Sequence, residues 1–101
     1  MIRHIVFFKF KKGVSQKEMD ALAEELCALK SHIHLLREME VCFDRAHMAN
    51  SYDMALNSLF DTMEDMEKYA AHPAHVKVLA TIRILCESHV KVDYQTMKVA
   101  M

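Results

Sequence analysis

Three side chains capable of proton chemistry lie close together in the segment from Tyr69 to His75. An imidazole can accept a proton near neutral pH, and a phenol can donate a hydrogen bond. Pro73 fixes its own φ angle and disfavours helical geometry at His72, so we predict that one helix ends here and a second begins at Pro73. On an undistorted helix Tyr69 and His72 would share a face. Across the bend, the spacing permits Tyr69 and His75 to converge on one cavity.

Each of these residues also has a purely structural interpretation. His75 could cap or pack at the helix junction, and Tyr69 could fill the core with its hydroxyl hydrogen-bonded to backbone. His4 lies on an apolar strand face, where a hydrogen-bonded core histidine is the common finding. His72 and His75 have the spacing to share a metal, but no carboxylate or further histidine stands at a supporting distance in the sequence. We therefore predict no metal site.

The composition excludes several classes of partner. The chain has 101 residues, of which 13 are basic and 14 acidic, with no run of one sign. This balance indicates no basic patch that would bind nucleic acid or an acidic membrane surface. A single glycine rules out a glycine-rich loop for phosphate. The length fits one domain spanning residues 1–101.

The N-terminus and the cysteines indicate the compartment. The first residues enter a strand-like pattern that contains Arg3 and Lys9, without an apolar signal region or a run long enough to span a bilayer. We expect a soluble, cytoplasmic protein that does not engage membranes. Cys27, Cys42 and Cys86 are odd in number and widely spaced, which favours reduced thiols packed in the core over disulfides or a zinc site.

Periodicity predicts six elements. Alternating residues indicate strands at 2–10, about 36–45, 52–60 and 89–94, followed by a short tail to Met101. Ser15 and Glu18 form a capping box for a first helix, and Asp61 or Thr62 can cap a second helical region that bends at Pro73. The order strand, helix, strand, strand, helix, strand predicts an α+β fold, with a four-stranded antiparallel sheet and both helices on one face.

The first strand is apolar on both faces, which has a consequence for assembly. If the face that holds His4 packs against the helices, apolar residues on the other face stay uncovered: Ile5, Phe7, Val90 and Val92. Leaving such side chains in water would forfeit roughly 1.5–3 kcal/mol each. A second copy of the sheet, related by a twofold axis, is the simplest cover. We predict a homodimer closed sheet to sheet, with these four residues in the interface.

Four segments together resemble the stress-responsive α/β-barrel (Dabb) family. They are the opening residues 1–10, the strand segment 51–56, the segment from Tyr69 to His75 that ends in His-Pro-Ala-His, and the closing residues 90–94. The resemblance covers nearly the whole chain in order. It implies a ferredoxin-like subunit that pairs into a dimeric α/β barrel, but no particular reaction, because most members have no established one.

Within that family the chain has a distant resemblance to a plant polyketide cyclase, olivetolic acid cyclase, which closes a linear polyketide by an aldol reaction. By motif, the resemblance implies catalytic roles for Tyr69, His75 and His4, with His75 taking an α-proton and Tyr69 hydrogen-bonding the enolate. It implies no cofactor and no metal. His89 and Lys91 depart from the more apolar plant lining, which favours a smaller or more polar substrate.

Three functional hypotheses follow. The first is a dimeric barrel that binds a small molecule in a pocket between sheet and helices. We predict that the remaining pocket residues are Val6, Phe8, Leu26, Leu79, His89 and Lys91. The second is a cofactor-free cyclase or lyase that uses the same pocket. The third is a structural, stress-protective oligomer whose pocket is filled. Haem-degrading and quinol-forming monooxygenases share the topology, but nothing in the sequence marks a haem ligand.

Overall fold

The computed structural model describes residues 1–97, and the end of the predicted tail lies outside this range. Seven elements follow one another along the chain: β1 (Ile2–Phe10), α1 (Gln16–His32), β2 (Glu38–Phe43), β3 (Met54–Phe60), α2 (Met63–Ala71), α3 (Pro73–Leu85) and β4 (Cys86–Gln95). The predicted second helical region is therefore two helices, separated at His72. Within the described range, no helix is both long and apolar enough to cross a bilayer.

The four strands form one antiparallel sheet in the order β2-β3-β1-β4. β1 lies in the centre and pairs with both β3 and β4. In the register between β1 and β4, His4 is opposite Asp93 and Phe7 is opposite Val90. This arrangement is the ferredoxin-like topology, and it confirms the predicted α+β fold.

Local capping interactions explain where the helices begin. The Ser15 hydroxyl accepts a hydrogen bond from the backbone N–H of Glu18, whose carboxylate accepts one from the Ser15 N–H, so the predicted capping box is present. Thr62, rather than Asp61, caps α2 by accepting a bond from the Asp65 N–H. Such caps satisfy backbone donors that have no partner inside the helix.

The two faces of the sheet differ sharply in burial. On the helix side, Val6, Phe8, Leu56 and Phe60 are almost fully buried in the core with residues of all three helices. On the other face, Phe7 is 43% exposed, Val90 45% and Val92 52%, while Ile5 is partly buried. A single subunit therefore leaves an apolar surface on the face of the sheet that carries no helix, as the two apolar faces of β1 predict.

Three details differ from the sequence-based predictions. β3 begins at Met54 rather than at Tyr52. The centroid of the Tyr52 ring lies 6.0 Å from that of the Phe7 ring, on the face of the sheet that carries no helix. β4 begins at Cys86, because the chain enters the strand directly from α3. All three cysteines are free, but only Cys86 is buried.

The prediction that every cysteine packs in the core was wrong for two of the three. Cys27 follows the buried Leu26, and one residue along a helix turns the side chain by about 100°, here into solvent. Cys42 pairs with Ala55 on the open face of the sheet, opposite to the face that the helices cover. In both cases the exposure follows from the face on which the residue lies.

Candidate functional site

A cavity of about 190 Å³ lies between the helix side of the sheet and the helices. Its lining includes all three predicted catalytic residues, His4, Tyr69 and His75, and all six other predicted pocket residues, Val6, Phe8, Leu26, Leu79, His89 and Lys91. Leu56, Met66, Ala70 and Ile82, which the sequence analysis did not single out, complete it. Leu56 belongs to β3, Met66 and Ala70 to α2, and Ile82 to α3.

Tyr69 lies in the last turn of α2 with only 2% of its surface exposed. Its ring centroid is 4.9 Å from that of Phe60 and 4.6 Å from that of His75. Burial raises the pKa of its phenol far above the ordinary value, so the group is protonated at neutral pH. Within residues 1–97 the Tyr69 hydroxyl has no hydrogen-bond partner. Because its oxygen is also not completely enclosed by protein atoms, it contacts the free volume of the cavity. Tyr69 can therefore donate a hydrogen bond to a ligand there.

His75 lies in the first turn of α3 and is held in one tautomer by the end of α2. Its Nδ1–H donates a hydrogen bond to the Ala70 carbonyl oxygen at 3.0 Å. Since a carbonyl oxygen can only accept, the proton of the neutral ring resides on Nδ1 and Nε2 carries a free lone pair. Burial lowers the pKa of His75, the Ala70 bond opposes that shift, and the charge of His4 adds to it. At neutral pH the ring is thus an unprotonated base.

His4 is paired with a carboxylate that the sequence analysis did not single out. Its Nδ1–H donates to the Asp93 carboxylate, whose second oxygen accepts a bond from the Lys91 ammonium. Burial alone would raise the pKa of Asp93, but the hydrogen bonds from Lys91 and His4 lower it overall. Along β4, alternation puts Asp93 on the same face of the strand as His89 and Lys91. Only the register between β1 and β4 could have revealed its pairing with His4.

His72 does not line the cavity, although its position in the sequence suggested proton chemistry. Its backbone ends α2, and its Nδ1 accepts a hydrogen bond of 3.1 Å from the Ala74 N–H as the cap of α3. His72 therefore sets the position at which α3 starts, and with it the position of His75. No group of three or more histidine, cysteine, aspartate or glutamate side chains is arranged to hold a metal in the described part of the chain.

The arrangement combines one unprotonated imidazole, one phenol donor and one imidazole fixed by a carboxylate. The ring centroids of His4 and Tyr69 are 6.3 Å apart. The Tyr69 ring thus contacts both imidazoles, those of His4 and His75. A carbonyl compound in this cavity could place its oxygen near the Tyr69 hydroxyl and an α-hydrogen near His75. Such a pair of groups is what abstraction of an α-proton requires.

The depressed pKa of His75 predicts a specific dependence of stability on pH. The unfolded chain takes up the His75 proton near pH 6.5, whereas the folded chain takes it up at lower pH, so the free energy of unfolding should fall as pH decreases through this window. We expect His75→Gln to lose less stability than the wild type between about pH 7 and pH 5. Urea denaturation followed by circular dichroism would measure the difference. His34→Gln, at an exposed position, is the matched control, and parallel curves for wild type and His75→Gln would contradict the prediction.

A model of the stress responsive A/B barrel domain (Dabb) family matches residues 2–96. The chain belongs to this family, as the resemblance of its four segments had indicated. An uncharacterized protein of Streptomyces coelicolor is 39% identical over 77 residues, which cover 74% of this chain and 79% of that relative.

Solved structures extend the comparison to the fold. A dimeric protein of unknown function and ferredoxin-like fold from Bacteroides fragilis has a TM-score of 0.84 and 32% identity, covering 94% of this chain and 95% of its own. A hydroxynitrile lyase from Passiflora edulis has a TM-score of 0.88 and 22% identity, covering 99% and 96% respectively. At that identity the second likeness shows the fold alone.

Proposed function

We propose that the protein is a homodimer in which each subunit binds a small molecule in the cavity between sheet and helices. The observation that carries this proposal is the cavity itself, a largely apolar chamber lined by Tyr69 and His75, each with a polar atom that has no partner within residues 1–97. Binding sites for small molecules commonly combine apolar walls with a few convergent polar groups. A filled core would close the free volume at the Tyr69 hydroxyl, which has no hydrogen-bond partner within residues 1–97.

The open face of the sheet supports the dimer. Phe7, Val90 and Val92 together form an apolar surface that a monomer would expose to water, and a twofold-related sheet would bury it. The Bacteroides fragilis protein, which shares 32% identity, is described as dimeric. The barrel would then consist of two sheets, with one cavity on the outer, helix-covered side of each.

A thermal-shift screen of small molecules tests the binding function. A ligand at a hundred times its Kd stabilises the native state by about 2.7 kcal/mol, which should raise the Tm of a domain of this size by about 10 °C or more. Leu79→Trp should abolish the shift by filling the cavity, whereas Ile84→Trp on the exposed face of the same helix should preserve it. An equal shift in the cavity-filled variant would show that the ligand binds elsewhere.

A second candidate function is a cofactor-free cyclase or lyase that works through an enolate. The observation that favours it is the hydrogen bond from His75 to Ala70, which leaves the basic nitrogen of an uncharged imidazole beside the phenol of Tyr69. The pair could remove an α-proton and hydrogen-bond the resulting enolate oxygen. His4, fixed by Asp93, would orient the substrate. The third hypothesis, a purely structural oligomer, predicts that substitutions of these residues change neither ligand binding nor enolisation.

A further inference from the structure

We infer that the ligand of this cavity is a compact organic monoanion, a carboxylate on an apolar body about the size of one six-membered ring, whose carboxylate binds Lys91 at the cavity mouth. The inference rests on the proposed binding function and specifies its ligand class. It depends on three features of the site: the chemistry of the polar lining, the position of Lys91 and the size of the cavity.

Within the described residues, the polar lining of the cavity contains no acidic side chain. Its polar side chains are the Tyr69 hydroxyl, the Lys91 ammonium and three imidazoles, those of His4, His75 and His89. The Tyr69 hydroxyl and the Lys91 ammonium can donate hydrogen bonds to an anion, whereas His4 and His75 direct their Nδ1–H to Asp93 and Ala70. A cationic ligand would find no carboxylate among the cavity-lining residues of the described range 1–97. Complementarity to the Tyr69 and Lys91 donors therefore favours a ligand that carries an acceptor group and a negative charge.

A carboxylate that contacts this polar lining is already engaged. Asp93 does not itself line the cavity; it accepts bonds from His4 and Lys91 and is largely buried. It anchors the Lys91 ammonium, and an ammonium has three donors, so two remain for a ligand. The Lys91 side chain is 59% exposed. Since His89 is also exposed, these two residues mark the mouth of the cavity on the β4 side. An anion at this mouth would keep part of its hydration.

The interior limits the size of the apolar body. The cavity holds about 190 Å³, and an apolar protein cavity of about 150 Å³ is known to accommodate benzene. The walls are formed by Val6, Phe8, Leu26 and Leu79. A single ring therefore fits beneath the helices, while a long alkyl chain would have to extend through the mouth into solvent.

Three probes of nearly equal shape test the charge preference. Benzoate, benzamide and benzamidine carry charges of about −1, 0 and +1 at neutral pH, and their binding to the wild type can be measured by NMR titration of backbone amides. We expect the affinity to decrease in the order benzoate, benzamide, benzamidine, with benzoate at least about fivefold tighter than benzamide. Added salt should reduce this preference, because Lys91 is partly exposed.

A substitution locates the preference. Lys91→Gln should bind benzoate and benzamide equally, while Lys17→Gln, at an exposed position on α1, should behave as the wild type. Equal affinity for benzoate and benzamide in the wild type would overturn the inference and leave the binding function intact. The inference would also be overturned if millimolar concentrations of all three probes gave no amide shifts. The thermal-shift comparison of Leu79→Trp with the wild type would then decide separately whether the cavity binds any ligand.

Discussion

Phe7→Asp is expected to convert the proposed dimer to a monomer. Phe7 lies at the centre of the open face, opposite Val90 in the sheet and 6.0 Å from the Tyr52 ring. Twofold symmetry introduces the change twice, and each copy loses roughly 1.5–3 kcal/mol of apolar burial and gains a buried charge without a partner. The total, at least about 4 kcal/mol, corresponds to a dimer about a thousandfold weaker.

Sedimentation or light scattering across a range of protein concentrations would measure this change. Ile84→Asp is the matched control, because it places the same charge on the exposed face of α3, where Ile84 is 68% exposed. This control should remain a dimer with an unchanged circular dichroism spectrum. A soluble Phe7→Asp dimer of wild-type affinity would contradict the sheet-to-sheet interface.

His75→Ala is expected to reduce enolisation at the cavity by about a hundredfold or more. The reaction can be followed by NMR as exchange of α-hydrogens for deuterium in a short β-keto thioester, where a base removes the proton and solvent returns a deuteron. The rate should depend on Nε2 of His75, because Nδ1 is engaged by the Ala70 carbonyl. Tyr69→Phe should lower the rate by a similar factor, because it removes the donor to the enolate oxygen.

Two comparisons separate this catalytic role from a structural one. Tyr69→Phe retains the ring that packs on Phe60 and removes only a hydroxyl without a protein partner within residues 1–97, so the variant should unfold close to the wild-type denaturant midpoint. His34→Ala removes an exposed histidine outside the cavity and should exchange at the wild-type rate. Wild-type exchange in His75→Ala would remove this residue from the mechanism and leave the cavity as a binding site.

The sequence determined the main features of the fold. Alternation in β1 identified a strand with two apolar faces, and Ser15 and Glu18 specified where α1 begins, because both signals are local and involve residues within a few positions of each other. The bend at Pro73 followed from the missing N–H and fixed φ of proline. These local rules were enough to predict the order of the elements and, with the resemblance of four segments, the family.

The sequence predicted less well where each helix or strand ends and whether a particular side chain is buried. Tyr52 lies outside β3 and Cys27 is exposed, because a strand end and the rotation of a helix depend on contacts that form only in the folded chain. Periodicity gives the apolar side of a helix to within about one residue, so a residue next to the buried stripe can lie on either side of the boundary.

The candidate site shows the same division between local and tertiary information. The sequence by itself placed Tyr69 and His75 on either side of a proline bend and His4 on the same face of β1 as Val6 and Phe8. The tertiary structure alone decided that His4 pairs with Asp93, 89 positions further along the chain, and that Ala70 selects the tautomer of His75. Strand register and the relative position of two helices fix these contacts, and both result from packing across the whole domain rather than from neighbouring residues.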